Sequence, residues 1–449
     1  MTKWSPMSDE SKPCPEPHSA GRKGGFLAFR KALRVLLRAM VLIIIAILVV
    51  LNVRLYTREG SGVEPDLPVN SGVRAQLRFI RDAIERGADA DMQRLFPEGR
   101  FFMNCLFGLA SVEAGLREPV DSERRRAWLA EARWALRRVD SSECRAIFSP
   151  RLRPAYGVFY AGWSAALHAG VIALQNPDML NVSEGEGFRR RCAELVDCFE
   201  SSATPYLQAY ERQAWTCDSA PAIFALYACD RMFPPAHGSV IERWTERVRA
   251  LRDSKTGLLG HRVSPDSGAL LDGPRATSMC ITLRFLLEAT PELGAELYDA
   301  FRTNMMTTRL GLPGVREYPQ GVNGSGDVDS GPLIFGISTS ASAVTIGAAR
   351  IIGDSEAVGS MVPAAEALAF PVTWNGRKRY AAGMLPVADA FLAWSQTARP
   401  WFAKPPGREW GSLVSTWWRL PLHVLSATAA LFMVAGWRIR WARCWKAGR

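Results

Sequence analysis

The chain predicts an all-α fold, an (α/α)6 toroid of six helical hairpins flanked by an N-terminal and a C-terminal transmembrane helix. Three observations predict it. Proline-headed apolar segments recur about every 55 residues, charge-rich amphipathic segments alternate with them, and an apolar run lies near each end of the 449-residue sequence.

The inner helices are read from the prolines. Pro97, Pro154, Pro221, Pro274, Pro332 and Pro386 fall at intervals of 53 to 67 residues. Proline suits a first helical turn, because its fixed φ fits there and its missing N–H is not needed. Apolar segments follow at 101–116, 156–174, 279–287 and 387–394, and two near-copies of one phrase, 217–224 and 328–335, head the remaining two. This set is poor in charge and rich in small residues, such as Gly336, Ser338, Ser340, Ala341, Ser342, Ala343, Gly347 and Ala348. Small side chains let backbones approach on both sides.

The outer helices fill the gaps at 73–87, 122–139, 187–200, 239–252, 291–306 and 354–369. They mix charge with apolar residues at spacings of three and four. Trp244, Val248 and Leu251 thus share one face while their charged neighbours face water. An irregular bundle or an open superhelical array would use the same alternation, but six hairpins is the count that closes a ring. No strand pattern competes.

The ends set the compartment. Residues 33–53 are apolar apart from Arg34, Arg38 and Asn52, and about 20 such residues span a bilayer. Residues 420–437 form a shorter second run, which includes His423 and is bounded by Trp417, Trp418 and Trp437. The expected order is a cytoplasmic basic tail (1–32), a transmembrane helix (33–53), a linker (54–72), the extracytoplasmic toroid (73–397), a linker (398–419), a second transmembrane helix (420–437) and a second cytoplasmic basic tail (438–449). Lys3, Lys12, Arg22, Lys23, Arg30, Lys31, Arg34 and Arg38 precede or enter the first run, and Arg438, Arg440, Arg443, Lys446 and Arg449 follow the second. Cytoplasmic segments keep such residues, so the expected site is a bacterial-type inner membrane with both termini cytoplasmic and the main domain periplasmic or extracellular. Set against Asp9, Glu10 and Glu16, these tails account for all but +1 of the +11 net charge. The basic balance therefore points to a lipid bilayer as partner and not to nucleic acid.

Seven of the nine cysteines, Cys105, Cys144, Cys192, Cys198, Cys217, Cys229 and Cys280, fall in the toroid, an odd number that reads mainly as small buried residues. No Cys or His pair has zinc-site spacing, so no metal and no cofactor is expected.

The chemistry is expected where the inner helices begin, since parallel inner helices gather their N-termini at one face. Asp218, Asp272 and Asp329 each stand just before an expected helix start and would converge there. Each is also an ordinary cap, and both readings stay open. The loop 311–329 holds five glycines and two prolines with apolar anchors, a composition more usual for a functional loop than for a plain connection. Within it, Glu317 beside Tyr318 is the candidate proton donor, because a partly desolvated setting raises a carboxyl pKa. Asp329, at a helix N-terminus, is expected to stay ionised and serve as base, with Asp218 as the alternative. Trp215, Tyr318 and Tyr156 supply aromatic faces, Arg275 can pair with a carboxylate, Cys217 adjoins Asp218, and Asp327 completes a weak Asp-x-Asp pattern.

The twelve-helix pattern, the turn Asp253-Ser254-Lys255-Thr256-Gly257-Leu258-Leu259 after an outer helix, and the carboxylate-bearing helix entries resemble the six-hairpin glycosidases over residues 73–397. Trp215-Thr216-Cys217-Asp218 is loosely similar to the cysteine and acidic motif of linalool dehydratase/isomerase. The first resemblance implies an acid and a base carboxyl, available here as Glu317 with Asp329 or Asp218. The second implies a set of cysteine, tyrosine, histidine and aspartate, of which Cys217 and Asp218 can be placed and no histidine is assigned. The expected function is hydrolysis of an envelope glycan by a membrane-anchored toroid, with a small-molecule or glycan substrate. The alternatives are a lyase or isomerase on a terpenoid or lipid-derived alcohol, and a non-catalytic envelope scaffold.

Overall fold

The computed structural model describes residues 20–57, 60, 62–64 and 67–446, with side chains described for residue 29 and from 31 to 435. The basic-tail residues 1–19 and 447–449 lie outside the described residues. So do the side chains of Arg438, Arg440, Arg443 and Lys446. Residues 51–425 form one compact unit, and the flanking ends of the chain another.

After α1 (Ala20–Arg54) the chain makes six outer-to-inner passages. Helix α2 (Ser71–Glu85) leads through the short α3 (Ala88–Leu95) to α4 (Gly99–Gly115), and α5 (Glu123–Val139) leads through the one-turn α6 (Ser142–Arg145) to α7 (Gly157–Ala173). Then α8 (Val182–Ser201) leads to α9 (Ala220–Met232), α10 (Gly238–Ala250) to α11 (Ala276–Ala289), α12 (Pro291–Asn304) to α13 (Thr339–Ile352), and α14 (Ser355–Leu368) to α15 (Pro386–Thr397). The last helix is α16 (Leu420–Lys446). Each inner helix packs on the next in the order α4, α7, α9, α11, α13, α15, and α15 packs back on α4. The ring is closed, as six hairpins require.

Local chemistry explains the two sets. Four of the six outer helices start on side-chain caps: Asn70 accepts from Val73, Ser122 from Arg125, Asn181 from Glu184 and Asp354 from Ala357. Inner helices need close approach. A Cβ on Gly162 would lie 2.9 Å from the Ala222 backbone nitrogen of the neighbouring helix, so only glycine fits. Trp163, Phe285 and Trp394 come from α7, α11 and α15, every second helix of the ring, and meet with centroids 5.1, 5.4 and 5.8 Å apart. The toroid axis is therefore packed, not open.

Short strands, unforeseen in the sequence, decorate the outer-to-inner connections. β1 (Ala214–Trp215), β2 (Arg262–Val263) and β3 (Leu270–Asp272) form one sheet. β4 (Met306–Arg309), β5 (Leu312–Arg316), β6 (Leu333–Ile334) and β7 (Ile337–Ser338) form a second in the order β4-β5-β7-β6, and β8 (Val372–Trp374) pairs with β9 (Arg377–Arg379). Strands of two to five residues are too short for alternation to show. Because every strand lies in such a connection, all three sheets surround the ring end where inner helices begin.

Two expectations about helix starts are corrected. Pro332 does not head a helix: 328–335 turns into the β6–β7 hairpin, and α13 begins seven residues later on the Ser338 cap. The two near-copies are thus unlike in structure, since Phe335 and Gly336 both adopt positive φ and fold that copy into a hairpin turn. Asp272 does not adjoin its helix either: it lies on β3, four residues before the first residue of α11, in an ion pair with Arg262 at 2.8 Å.

Only one helix among the described residues is long and apolar enough to cross a membrane, Lys31–Arg54, about 36 Å at 1.5 Å per residue. Of the second expected span, residues 420–435 form an apolar helix of roughly 24 Å, and 436–437 lie outside the residues whose side chains are described.

Candidate active site

The entries to α4, α9 and α13 assemble a carboxylate cluster at the ring mouth. Glu98 occupies the position before α4 yet caps nothing, and its Oε1 instead accepts a short hydrogen bond from the Tyr210 hydroxyl. Asp218 lies in the tight turn 216–219 leading into α9, which Thr216 fixes by donating from Oγ1 to the Gly260 carbonyl at 2.6 Å. The Asp218 side chain is not a cap for α9. It is 6% exposed and accepts from the Cys217 thiol at 3.5 Å.

Burial pushes Asp218 up to about 8, with the nearby charges of Glu98 and Asp329 acting in the same direction and the Cys217 contact opposing them. The carboxyl is therefore mostly protonated at neutral pH. Asp329 follows at about 6: partial enclosure of its carboxyl acts first, then the like charges of Asp327 and Glu98. The residue as a whole remains exposed, as a group on the wall of an open mouth does. Its expected helix-terminal setting is absent, which removes the dipole that was to lower it, and its pKa is raised instead.

Glu317 is fully buried and bound. Its Oε1 accepts from Arg275 Nε at 2.7 Å and from Thr277 Oγ1 at 2.8 Å. Burial raises its pKa while Arg275 opposes that rise. The other face of the Arg275 guanidinium grips Asp327 at 2.5 and 2.8 Å. Asp327 Oδ1 in turn accepts the backbone N–H groups of Asp329 at 3.1 Å and Ser330 at 3.2 Å. The Arg275 charge holds the Asp327 carboxyl below its usual range, and Tyr318 lies under the guanidinium, 5.6 Å from the ring centroid. A buried arginine thus ties Glu317 to the loop that carries Asp329.

Of the expected residues, Asp218, Cys217, Asp329, Asp327, Arg275, Glu317 and Tyr318 come together, and Trp215 stands edge-on to Tyr210 at 5.8 Å. Two do not join them. Asp272 is held by Arg262, and Tyr156 packs against Tyr160 and Arg145 at the start of α7. Three residues were missed as site members: Glu98, His261 and Ser278. The repeat carried a signal for Glu98, which directly follows Pro97. Nothing local marked Ser278.

His261 Nδ1 meets Ser278 Oγ at 2.5 Å, and the Ser278 hydroxyl also reaches Cys217, whose thiol burial and Asp218 raise well above the usual value. Burial first, then Arg275, lowers His261 to about 4, so its ring is neutral. Two buried oxygens here have no hydrogen-bond partner, Ser219 Oγ and Glu317 Oε2. Among the described residues no group of three or more His, Cys, Asp or Glu is arranged to hold a metal ion.

No protein-family model and no curated protein matches the chain. Among solved structures it is similar to a GH76 alpha-mannanase of Bacteroides thetaiotaomicron, with TM-score 0.42 and 11% identity over 66% of this chain and 84% of that one. It is also similar to a family 76 glycoside hydrolase from a bovine strain of the same species, with TM-score 0.40 and 9% identity over 66% of this chain and 68% of that one. Neither likeness is close enough to argue from. The architecture stands on the closed ring itself.

Proposed function

We propose that the chain is a membrane-anchored, extracytoplasmic enzyme that hydrolyses a glycosidic bond of an envelope glycan by acid–base catalysis. The observation that supports this reading most is the pair Asp218 and Asp329. They stand on separate hairpins at one mouth, near enough for the charge of Asp329 to act on Asp218, with pKa values near 8 and 6. Two carboxyls held in opposite protonation states at one pH are what such chemistry needs.

Asp218, protonated, gives its proton to the leaving glycosidic oxygen, and Asp329, ionised and exposed, takes one from the attacking water. This moves the acid role from Glu317, whose Oε1 is committed to Arg275 and Thr277, to Asp218. Arg275, Glu317 and Asp327 then position the Asp329 loop. Trp215, Tyr210 and Tyr318 offer faces for a sugar ring.

The test is the pH dependence of turnover by the full chain on a panel of envelope glycans. A base near 6 and an acid near 8 predict a bell with its plateau between those values. A shift of the basic limb in Asp218→Glu with the acidic limb unmoved would fit Asp218 as the donor; a profile insensitive to both residues would refute the pair.

A second reading has its own observation. Around Cys217 and Asp218 stand Tyr210 and, through Ser278, His261, so every residue type that the dehydratase/isomerase resemblance implies lies at this mouth. Conversion of a terpenoid alcohol that is lost in Cys217→Ala, with no glycan hydrolysed by the unsubstituted chain, would favour it.

A further inference from the structure

Residues 51–425 carry a collar of exposed apolar and aromatic side chains that the ring does not need. Leu310, Leu368, Phe370, Val372, Trp374 and Trp417 are all exposed, the two tryptophans at 76% and 72%. They are neighbours through the chain segments that bear them. Leu55, Ala367 and Trp418 form a small core cluster with Leu51, Leu312 and Leu422 packed on it, Arg54 donates to the Pro371 carbonyl at 2.8 Å, and Gly311 lies against the Trp418 carbonyl. The collar therefore surrounds Leu51–Tyr56, the stretch that ends the apolar helix Lys31–Arg54.

Backbone conformation gives a second, independent sign. The β4–β5 turn is Leu310-Gly311 at φ 50 and 80, and the β8–β9 turn is Asn375-Gly376 at φ 48 and 68. Two-residue turns of this kind favour Asn-Gly, because most side chains resist positive φ. Leu310 takes the place of the easy residue at an exposed tip, and Phe370 likewise sits exposed at φ 44. Apolar side chains are being held outward at a conformational cost.

Charge completes the pattern. Segments 305–313, 368–380 and 415–425 contain Arg309, Arg377, Lys378, Arg379 and Arg419 and no Asp or Glu. Arg377 and Lys378 are paired with Asp82 and Glu366. Arg419 lies over both Trp418 and Tyr56, at 4.2 and 4.9 Å. Aromatic rings beside Arg309, Arg379 and Arg419, on segments that carry no acid of their own, match the headgroup zone of a bilayer with anionic lipids.

We propose that this collar lies in the membrane interface, so that the toroid itself, and not the apolar helix alone, contacts the bilayer. The collar rests on the reading of Lys31–Arg54 as a span. Strand β5 runs from Leu312 in this zone to Arg316 beside Glu317, so the catalytic mouth stands roughly 17 Å from the collar at ~3.3 Å per residue. A site at that height takes the headgroup of a membrane-embedded amphiphile, and a glycolipid is the substrate class that fits both the carboxyls and the collar.

The test uses the full chain in phosphatidylcholine/phosphatidylglycerol vesicles containing doxyl-labelled lipid. An environment-sensitive thiol dye is placed at Leu310→Cys, at Trp374→Cys and, as reference, at Met179→Cys, which is 79% exposed on an inner-to-outer connection, and the labelling of the unsubstituted chain is subtracted. Quenching at Leu310 and Trp374 is expected to exceed that at Met179 at least threefold. An alkaline carbonate wash of the same vesicles reports the span separately. Retention of the chain with equal quenching at all three positions overturns the collar alone, and loss of the chain from the vesicles overturns both readings.

Discussion

The two ends of the inner ring differ in what their charged groups are used for. At the far end, where inner helices finish, carboxylates are consumed by structure. Glu113 accepts from Arg284 on one oxygen and from Thr397 at 2.9 Å on the other, and Glu288 accepts the backbone N–H groups of Trp401, Phe402 and Ala403. Arginines there cover helix-end carbonyls: Arg117 binds those of Glu113, Thr397 and Ala398, and Arg125 those of Glu118, Ala173 and Leu174. Trp401 packs edge-on against Phe224 at 5.0 Å and helps close that end.

At the mouth two carboxyls, Asp218 and Asp329, are left almost idle. Asp218 has a weak thiol contact, and among the described residues nothing hydrogen-bonds the Asp329 carboxylate. Glu98 and Asp218 stand at helix entries without capping them. The helix dipole favours acids at this end in either case, so position alone does not separate a cap from a catalyst. Unspent hydrogen-bonding capacity does.

Breaking the far end should have the largest effect. Glu113→Ala leaves Arg284 buried and unpaired and should cost about 3–5 kcal/mol of stability, read by denaturant unfolding, with turnover per folded molecule unchanged. The mirror experiment at the mouth should do the reverse. Asp218→Asn is expected to lower kcat by ~10²–10⁴-fold with no loss of Tm. Arg275→Lys keeps the charge and loses the forked grip on Glu317 and Asp327. It should lower kcat about tenfold with KM little changed, because Asp329 is displaced and not removed.

The pH dependence of stability sharpens the same contrast. Asp218 and Asp329 have folded pKa values raised from 3.8 to about 8 and about 6. Between those limits the folded chain binds more protons than the unfolded one, so their contribution is fully present below about 4 and is lost as pH rises through 6 and 8. Tm of the unsubstituted chain should fall over that window, and the double variant Asp218→Asn/Asp329→Asn should fall less steeply. The smallest effect belongs to Asp272→Asn. Its half-exposed pair with Arg262 should be worth under ~1 kcal/mol, with turnover unaltered.

The ring was largely legible in the sequence, and the site was legible in part. Proline at Pro221 and Pro386 and amphipathic spacing in 239–252 report local backbone preferences, and these survive folding because each helix makes its own hydrogen bonds. Asp218 was found for the same reason, through the turn it shares with Pro221. Asp329 was found by composition but with the wrong environment, since 328–335 looks like 217–224 and folds as a hairpin. That difference rests on Phe335 and Gly336 adopting positive φ, which residue identity at Phe335 argues against. His261 and Ser278 come from a strand edge and a helix that meet only in three dimensions, and no spacing rule joins them.

The most direct test of the central claim, that the mouth carboxyls are held for chemistry while those of the far end hold the fold, is a paired measurement on Asp218→Asn and Asp329→Asn in the full chain. Thermal unfolding and hydrolysis of the envelope-glycan panel are read on the same samples. The account predicts, in both, a Tm no lower than that of the unsubstituted chain and hydrolysis lowered at least a hundredfold. A stability loss of the ~0.5–2 kcal/mol expected for a removed cap, with hydrolysis intact, would contradict it.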